Sequence, residues 1–179
     1  MKRFSNRHIF AAAFGLGLVA VLGLAAANYV KPLNPQRLSD ALWVTEQITL
    51  KQVPVIARSS YATIIDLRPD GEVEGQPSSA AVKEVAEAVG LKFAYIPVPH
   101  GDIPNSAVDA LNKAIADSPK PILMYCRSGR RAARTWGLVE ASRRGGLDAA
   151  AILAAVKDSG QAADDLTGAI NARIAKRAP

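Results

Sequence analysis

The sequence predicts an α/β domain with a mostly parallel central sheet flanked by helices, following an N-terminal apolar helix. Three observations predict it. From residue 41 onward, short apolar runs of strand character alternate with stretches whose apolar residues recur at helical spacing. One of these runs passes straight into a glycine-containing loop and then into an amphipathic helix, as a crossover unit requires. Ahead of all this lies an uncharged run, residues 9–27, preceded by the basic stretch MKRFSNRH.

That leading run is nineteen residues long, close to the ~20 that span a bilayer as a helix and longer than the ~7–15 of a signal peptide's apolar region. It predicts a membrane anchor over residues 1–27. Ala25 and Ala27 also fit a signal-peptidase site, which would release a secreted form. With Lys2, Arg3 and Arg7 in front, the N-terminus is expected to stay in the cytoplasm. The domain would then sit on the periplasmic side of the inner membrane. Residues 28–40 carry Pro32 and Pro35 without periodicity and read as a linker, leaving 41–179 as the folded domain.

Within that domain, residues 42–45 are a short strand candidate. Thr49 can cap a weak helix reaching about Ala57, shortened by Pro54. Residues 61–67, YATIIDL, form a buried-strand run, closed by a turn at Arg68-Pro-Asp-Gly71. Ser78 or Ser79 caps a helix with Val82, Val85, Ala86 and Val89 on one face, and Gly90 ends it. Residues 93–98 are the next strand, interrupted by Pro97. Asn105 is expected to cap a helix bearing Val108, Leu111 and Ile115. Residues 121–125, PILMY, are a buried strand, and helices are expected near 131–143, 148–157 and 162–176. Trp43 and Trp136 read as core.

Composition excludes several functions. Lys and Arg number 22 against 16 Asp and Glu, a net charge of +6, yet part of that excess lies in the N-terminal segment and part in the terminal Arg173, Lys176 and Arg177. Aromatic residues are 6% of the chain, too few for a basic face interleaved with stacking rings, so no nucleic-acid partner is expected. One cysteine, Cys126, and two histidines, His8 and His100, leave no disulfide and no metal site, and no cofactor is implied.

The chemistry concentrates at Cys126. It is the first residue past a predicted buried strand, in CRSGRR, and open parallel sheets bind ligands beyond the carboxyl ends of their strands. Loop amides from Arg127, Ser128, Gly129 and Arg130 can converge on an anion, and the helix N-terminus adds partial positive charge. Arg127, Arg130 and Arg131 add formal charge. Such surroundings favour a thiolate, the nucleophilic form, and the reading requires that Cys126 be reachable at the mouth of this pocket. Arginines at a helix start oppose the dipole unless an anion binds there. For a general acid, Asp102 in the His100-Gly-Asp-Ile-Pro loop is the best placed, with His100 the alternative. Asp66, beside Arg68, is expected to order the site.

With TIIDLRPDGE, EGQPSS, GLKFAYIPV and YCRSGRRAA in this order, residues 42 to about 141 resemble the phosphatase-like domain of the beta-lactamase-hydrolase-like proteins. The resemblance implies a cysteine-phosphatase-like fold and hydrolysis of a phosphate monoester. It implies Cys126 as nucleophile, Arg131 as oxyanion clamp, and loop amides as the phosphate cradle. The pattern departs from the tyrosine and dual-specificity phosphatases, which place five residues between cysteine and arginine. Here four lead to Arg131, Tyr125 precedes the cysteine, and Ala132 and Ala133 stand where a hydroxyl is usual. Four-residue spacing resembles the rhodanese loop, so a sulfurtransferase carrying a persulfide on Cys126 is a second expectation. A non-catalytic anion- or phosphoprotein-binding module is a third. The expected partner is accordingly a phosphorylated or sulfur-containing substrate.

Overall fold

The computed structural model describes residues 30–177. The chain divides between Pro32 and Leu33, and the fold described is that of the second unit. No helix among the described residues is long and apolar enough to cross a membrane. The anchor or signal expected over 9–27 lies outside them.

Five strands form one sheet in the order β1-β2-β5-β3-β4. They are β1 (Gln36–Ser39), β2 (Leu42–Thr45), β3 (Thr63–Asp66), β4 (Lys92–Tyr95) and β5 (Ile122–Tyr125). All neighbours are parallel except β1, which pairs antiparallel with β2. Residues 36–39 were expected to belong to a linker, and this expectation is corrected. The edge strand needs a single inward residue, Leu38, and a two-residue turn at Asp40–Ala41 folds it onto β2. A strand with one apolar position shows no alternation to read.

Among the described residues six helices accompany the sheet: α1 (Val53–Arg58), α2 (Ser79–Ala88), α3 (Asn105–Asp117), α4 (Arg130–Ser142), α5 (Ala149–Asp158) and α6 (Thr167–Ala175). Short 3₁₀ turns at Leu50–Gln52 and Asp164–Leu166 lead into α1 and α6. Pro54 is tolerated because it falls in the first turn of α1, where its missing N–H has no intrahelical acceptor. The Ser78 hydroxyl caps α2 by accepting from Ala81 N at 3.2 Å, and the Asp148 carboxylate caps α5 by accepting from Ala151 N at 2.8 Å. Asn105 does not cap α3; that position falls to Pro104, and the Asn105 side-chain oxygen accepts from Arg173 instead. The strand expected over 93–98 ends formally at Tyr95. Its ladder nonetheless continues through Ile96 N to Asp66 O and Val98 N to Leu67 O, stepping around Pro97.

Alternation along the strands builds a core on each face. In β5, Ile122 and Met124 face one layer and Leu123 and Tyr125 the other. The first layer packs Val44 and Ile65 beneath Val108, Leu111, Trp136, Val139, Ile152 and Ile170 of α3 to α6. The second sets Ile64 against Ile48, Val53, Ile56, Val82 and Ala86. Each such side chain contributes roughly 1.5–3 kcal/mol on burial. Trp136 lies in the first core as expected, and Trp43 packs on the second with its ring edge-on to Tyr61 at 5.7 Å.

Candidate active site

Parallel register aligns the ends of four strands. Thr45, Asp66 and Tyr125 lie side by side, with Tyr95 beyond Asp66. Cys126 to Gly129 leave this rim as a loop that enters α4. Gly129 makes the turn, with φ of 86° and the loop's tightest packing: a Cβ there would meet Thr45 O and Gln161 Nε2 at 3.4 Å. Two loop carbonyls are turned outward. Arg127 O accepts from Gln47 N at 3.3 Å and Ser128 O from Gln161 Nε2 at 3.1 Å. The first N–H groups of α4 have no intrahelical acceptor.

Beside the loop lies a cavity of about 840 Å³. The loop and α4 supply Arg127, Ser128, Arg130, Arg131 and Arg134, the β4–α3 loop supplies His100 to Ile103, and the start of α3 supplies Asn105. Its remaining wall comes from Leu166, Ala169, Arg173 and Asp165 near the C-terminus. The structure therefore gathers Arg127, Ser128, Arg130, Arg131 and Asp102 around one space. Gly129 lines a separate, smaller cavity of about 200 Å³ with Thr45 and Gln161.

Cys126 itself is 1% exposed and packs with Ala132 and Ala133 in the core. The expectation of a thiol at the pocket mouth is corrected: Cys126 is buried and is not among the residues that line the cavity. It is not isolated there. Burial opposes the charge on the Arg131 guanidinium, and the Glu72 carboxylate, with the Cys126 sulfur nearby, outweighs that pull and raises its pKa.

Glu72 is the residue that sequence reasoning missed. It accepts from Arg131 at 2.6 and 2.8 Å in a two-pronged pair, and from Arg68 Nε at 2.8 Å, with His100 Nε2 at 3.5 Å. Arg131 also donates to Val98 O at 2.7 Å, the last rung of the β4 ladder. The Arg131 hydrogen bonds, opposed by burial and reinforced by Arg68, hold the Glu72 carboxyl down at about 2. Arg68, 4% exposed, is further fixed by Gln47 Oε1 at 2.8 Å. The available signal was RPDGE itself, a turn holding more charge than a turn needs.

Asp66 is 1% exposed and accepts from Arg68 N at 2.8 Å. Burial raises its pKa to about 6, against that hydrogen bond. It orders the RPDGE turn, which carries Arg68 and Glu72. Of the two candidate acids, Asp102 is exposed on the cavity wall and forms no hydrogen bond or ion pair among the described residues. His100 is drawn toward Glu72.

Comparison with known proteins follows the same boundaries. The family model for the beta-lactamase hydrolase-like protein, phosphatase-like domain, matches residues 36–143. A beta-lactamase hydrolase-like protein of Agrobacterium fabrum is 30% identical over 105 residues, 59% of this chain and 24% of that protein. One from Xylella fastidiosa is 33% identical over 103 residues, 58% and 24% respectively. The matches thus span about a quarter of these curated relatives. Among solved structures, a phosphatase candidate from Neisseria meningitidis superposes with a TM-score of 0.68 at 29% identity, over 77% of this chain and 96% of that one. The core catalytic domain of the PP-IP phosphatase SIW14 from S. cerevisiae gives 0.59 at 14% identity, over 79% and 86%, a likeness of fold alone.

Proposed function

Since the chain belongs to the family of phosphatase-like domains found in beta-lactamase hydrolase-like proteins, we propose that it is a cysteine-dependent hydrolase of phosphate monoesters. The observation that carries this reading is the placement of Arg131, five residues past Cys126 at the end of a parallel sheet and clamped by the Glu72 carboxylate. A guanidinium clamped on one side by a carboxylate keeps its plane fixed, and a fixed plane can meet phosphoryl oxygens in paired hydrogen bonds.

In the proposed reaction the phosphoryl group enters the turn of Arg127 to Arg131, whose amides and helix N-terminus offset its charge. The Cys126 thiolate attacks phosphorus, an S–P bond forms, and the P–O bond to the leaving group breaks. Asp102 gives its proton to the departing oxygen. Water then attacks the phosphocysteine, losing its proton to the Asp102 carboxylate, and the thiolate leaves. Cys126 is 1% exposed, so the turn must open before a phosphoryl group reaches its sulfur.

Replacing Cys126 by serine is expected to abolish phosphate release from an aryl phosphate while the circular-dichroism spectrum stays that of the parent. Vanadate, a mimic of the five-coordinate transition state, is expected to inhibit the parent. Retained turnover in the serine variant sinks the proposal.

The four-residue interval from Cys126 to Arg131 favours a second reading, sulfur transfer through a persulfide. Incubation with thiosulfate would then add one sulfur atom to Cys126, and the absence of that adduct under conditions that load a rhodanese excludes it. The count of arginines and the size of the cavity favour the phosphoryl reading, since a sulfane sulfur needs neither.

A further inference from the structure

The cavity is much larger than one phosphoryl group needs, and its charge is unevenly neutralised. Arg131 is paired with Glu72, and Arg134 with Asp165 at 2.5 and 2.7 Å. Arg127 and Arg130, both exposed, form no side-chain hydrogen bond or ion pair among the described residues. Arg173 across the cavity is held by neutral oxygens, Ser142 Oγ at 2.9 Å and the Asn105 side chain, which orient it without cancelling its charge. Arg127 and Arg173 therefore face one space with no carboxylate of their own, and Arg130 shares the field of Asp165 with Arg134. Like charges gathered around a cavity repel one another unless an anion joins them.

The wall that carries Arg173 belongs to the segment beyond residue 143, outside the family match. This chain's own C-terminal helix thus contributes a cation to a cavity whose reactive end the family segment builds. From this arrangement we infer that the substrate is a small organic phosphate bearing a second phosphoryl group. The first is seated at Cys126 to Arg131 and the second is received by Arg127, Arg130 and Arg173. The inference rests on the hydrolase reading and adds a substrate class to it.

The test uses the full-length protein and a matched set: a hexose 1-phosphate, the 6-phosphate, and the 1,6-bisphosphate. Phosphate release is followed in the parent, in Arg173→Gln and in Arg173→Lys. The expected kcat/KM for the bisphosphate exceeds that of either monophosphate about ten-fold or more, the order of one charge-assisted hydrogen bond. Arg173→Gln should bring that selectivity ratio down toward one, and Arg173→Lys should restore most of it, which separates charge from folding. A ratio near one in the parent, or one unmoved in Arg173→Gln, overturns the inference and leaves the hydrolase reading standing. Calorimetry on Cys126→Ser keeps the two readings apart if turnover fails. Tighter binding of the bisphosphate that weakens in Arg173→Gln supports the polyanion site without the reaction, and equal binding of all three sugars overturns it.

Discussion

Glu72 joins two guanidinium groups at one carboxylate, and its effect is felt through Arg131. Replacing it by glutamine keeps the volume and removes the charge that fixes two arginines. We expect Glu72→Gln to lower kcat at least ten-fold and to cost about 2 kcal/mol of stability, the scale of hydrogen bonds to charged groups. Activity kept within two-fold would show that Arg131 is positioned without it. The carboxyls of Asp66 and Glu72 respond to pH in opposite directions. Glu72, held at about 2, adds stability above the ordinary carboxyl range that is lost as pH falls toward 2. Asp66, raised to about 6, favours the folded state while protonated, and that contribution is lost as pH rises from about 4 through 6. Asp66→Asn should therefore flatten the stability profile between pH 4 and 6 in denaturant titrations. A variant that keeps the parent's slope in that interval would place the titration elsewhere.

Among the elements, α4 has both ends secured by features of different legibility. Its start was readable in the sequence, because a strand, a glycine loop and an amphipathic repeat are local patterns. The Gly129 conformation follows from them, and Gly129→Ala is expected to cost about 1–2 kcal/mol and to lower turnover further than stability by shifting Arg127 and Arg130. Unchanged turnover would show that the loop tolerates the strain. The other end of α4 was not readable. The Arg177 guanidinium donates to the carbonyls of Glu140, Ala141, Gly146 and Leu147 at 2.6–2.9 Å, capping the last turn from a distance of over thirty residues. In the sequence that residue belonged to a basic tail of no assigned contact. Arg177→Ala should lower Tm by several degrees, about 1.5–3 kcal/mol, with KM for a monophosphate little changed. Equal Tm values would show that the cap contributes nothing measurable. Strand β1 was lost to sequence reading for a related reason, since one apolar residue and a partner two residues away leave no period to detect.

At the scale of the whole domain, the mostly parallel sheet flanked by helices was legible in the alternation of strand and helix patterns, whereas the strand order was not. The position of Cys126 at the strand end was legible for the same reason. Its burial was not, since depth depends on packing in the core with residues distant in sequence. Charge complementarity was invisible for the same cause: RPDGE and CRSGRR lie far apart in sequence and meet only because β3 and β5 are neighbours. The central claim, that this sheet end transfers phosphoryl groups through sulfur, is tested most directly by acid quenching the full-length protein during turnover of an aryl phosphate. Mass spectrometry of its peptides then reads the intermediate. The peptide containing Cys126 is predicted to carry the mass of one phosphoryl group, absent from Cys126→Ser. Phosphate released with no such adduct trapped at any time point, while the serine variant turns over normally, would contradict it.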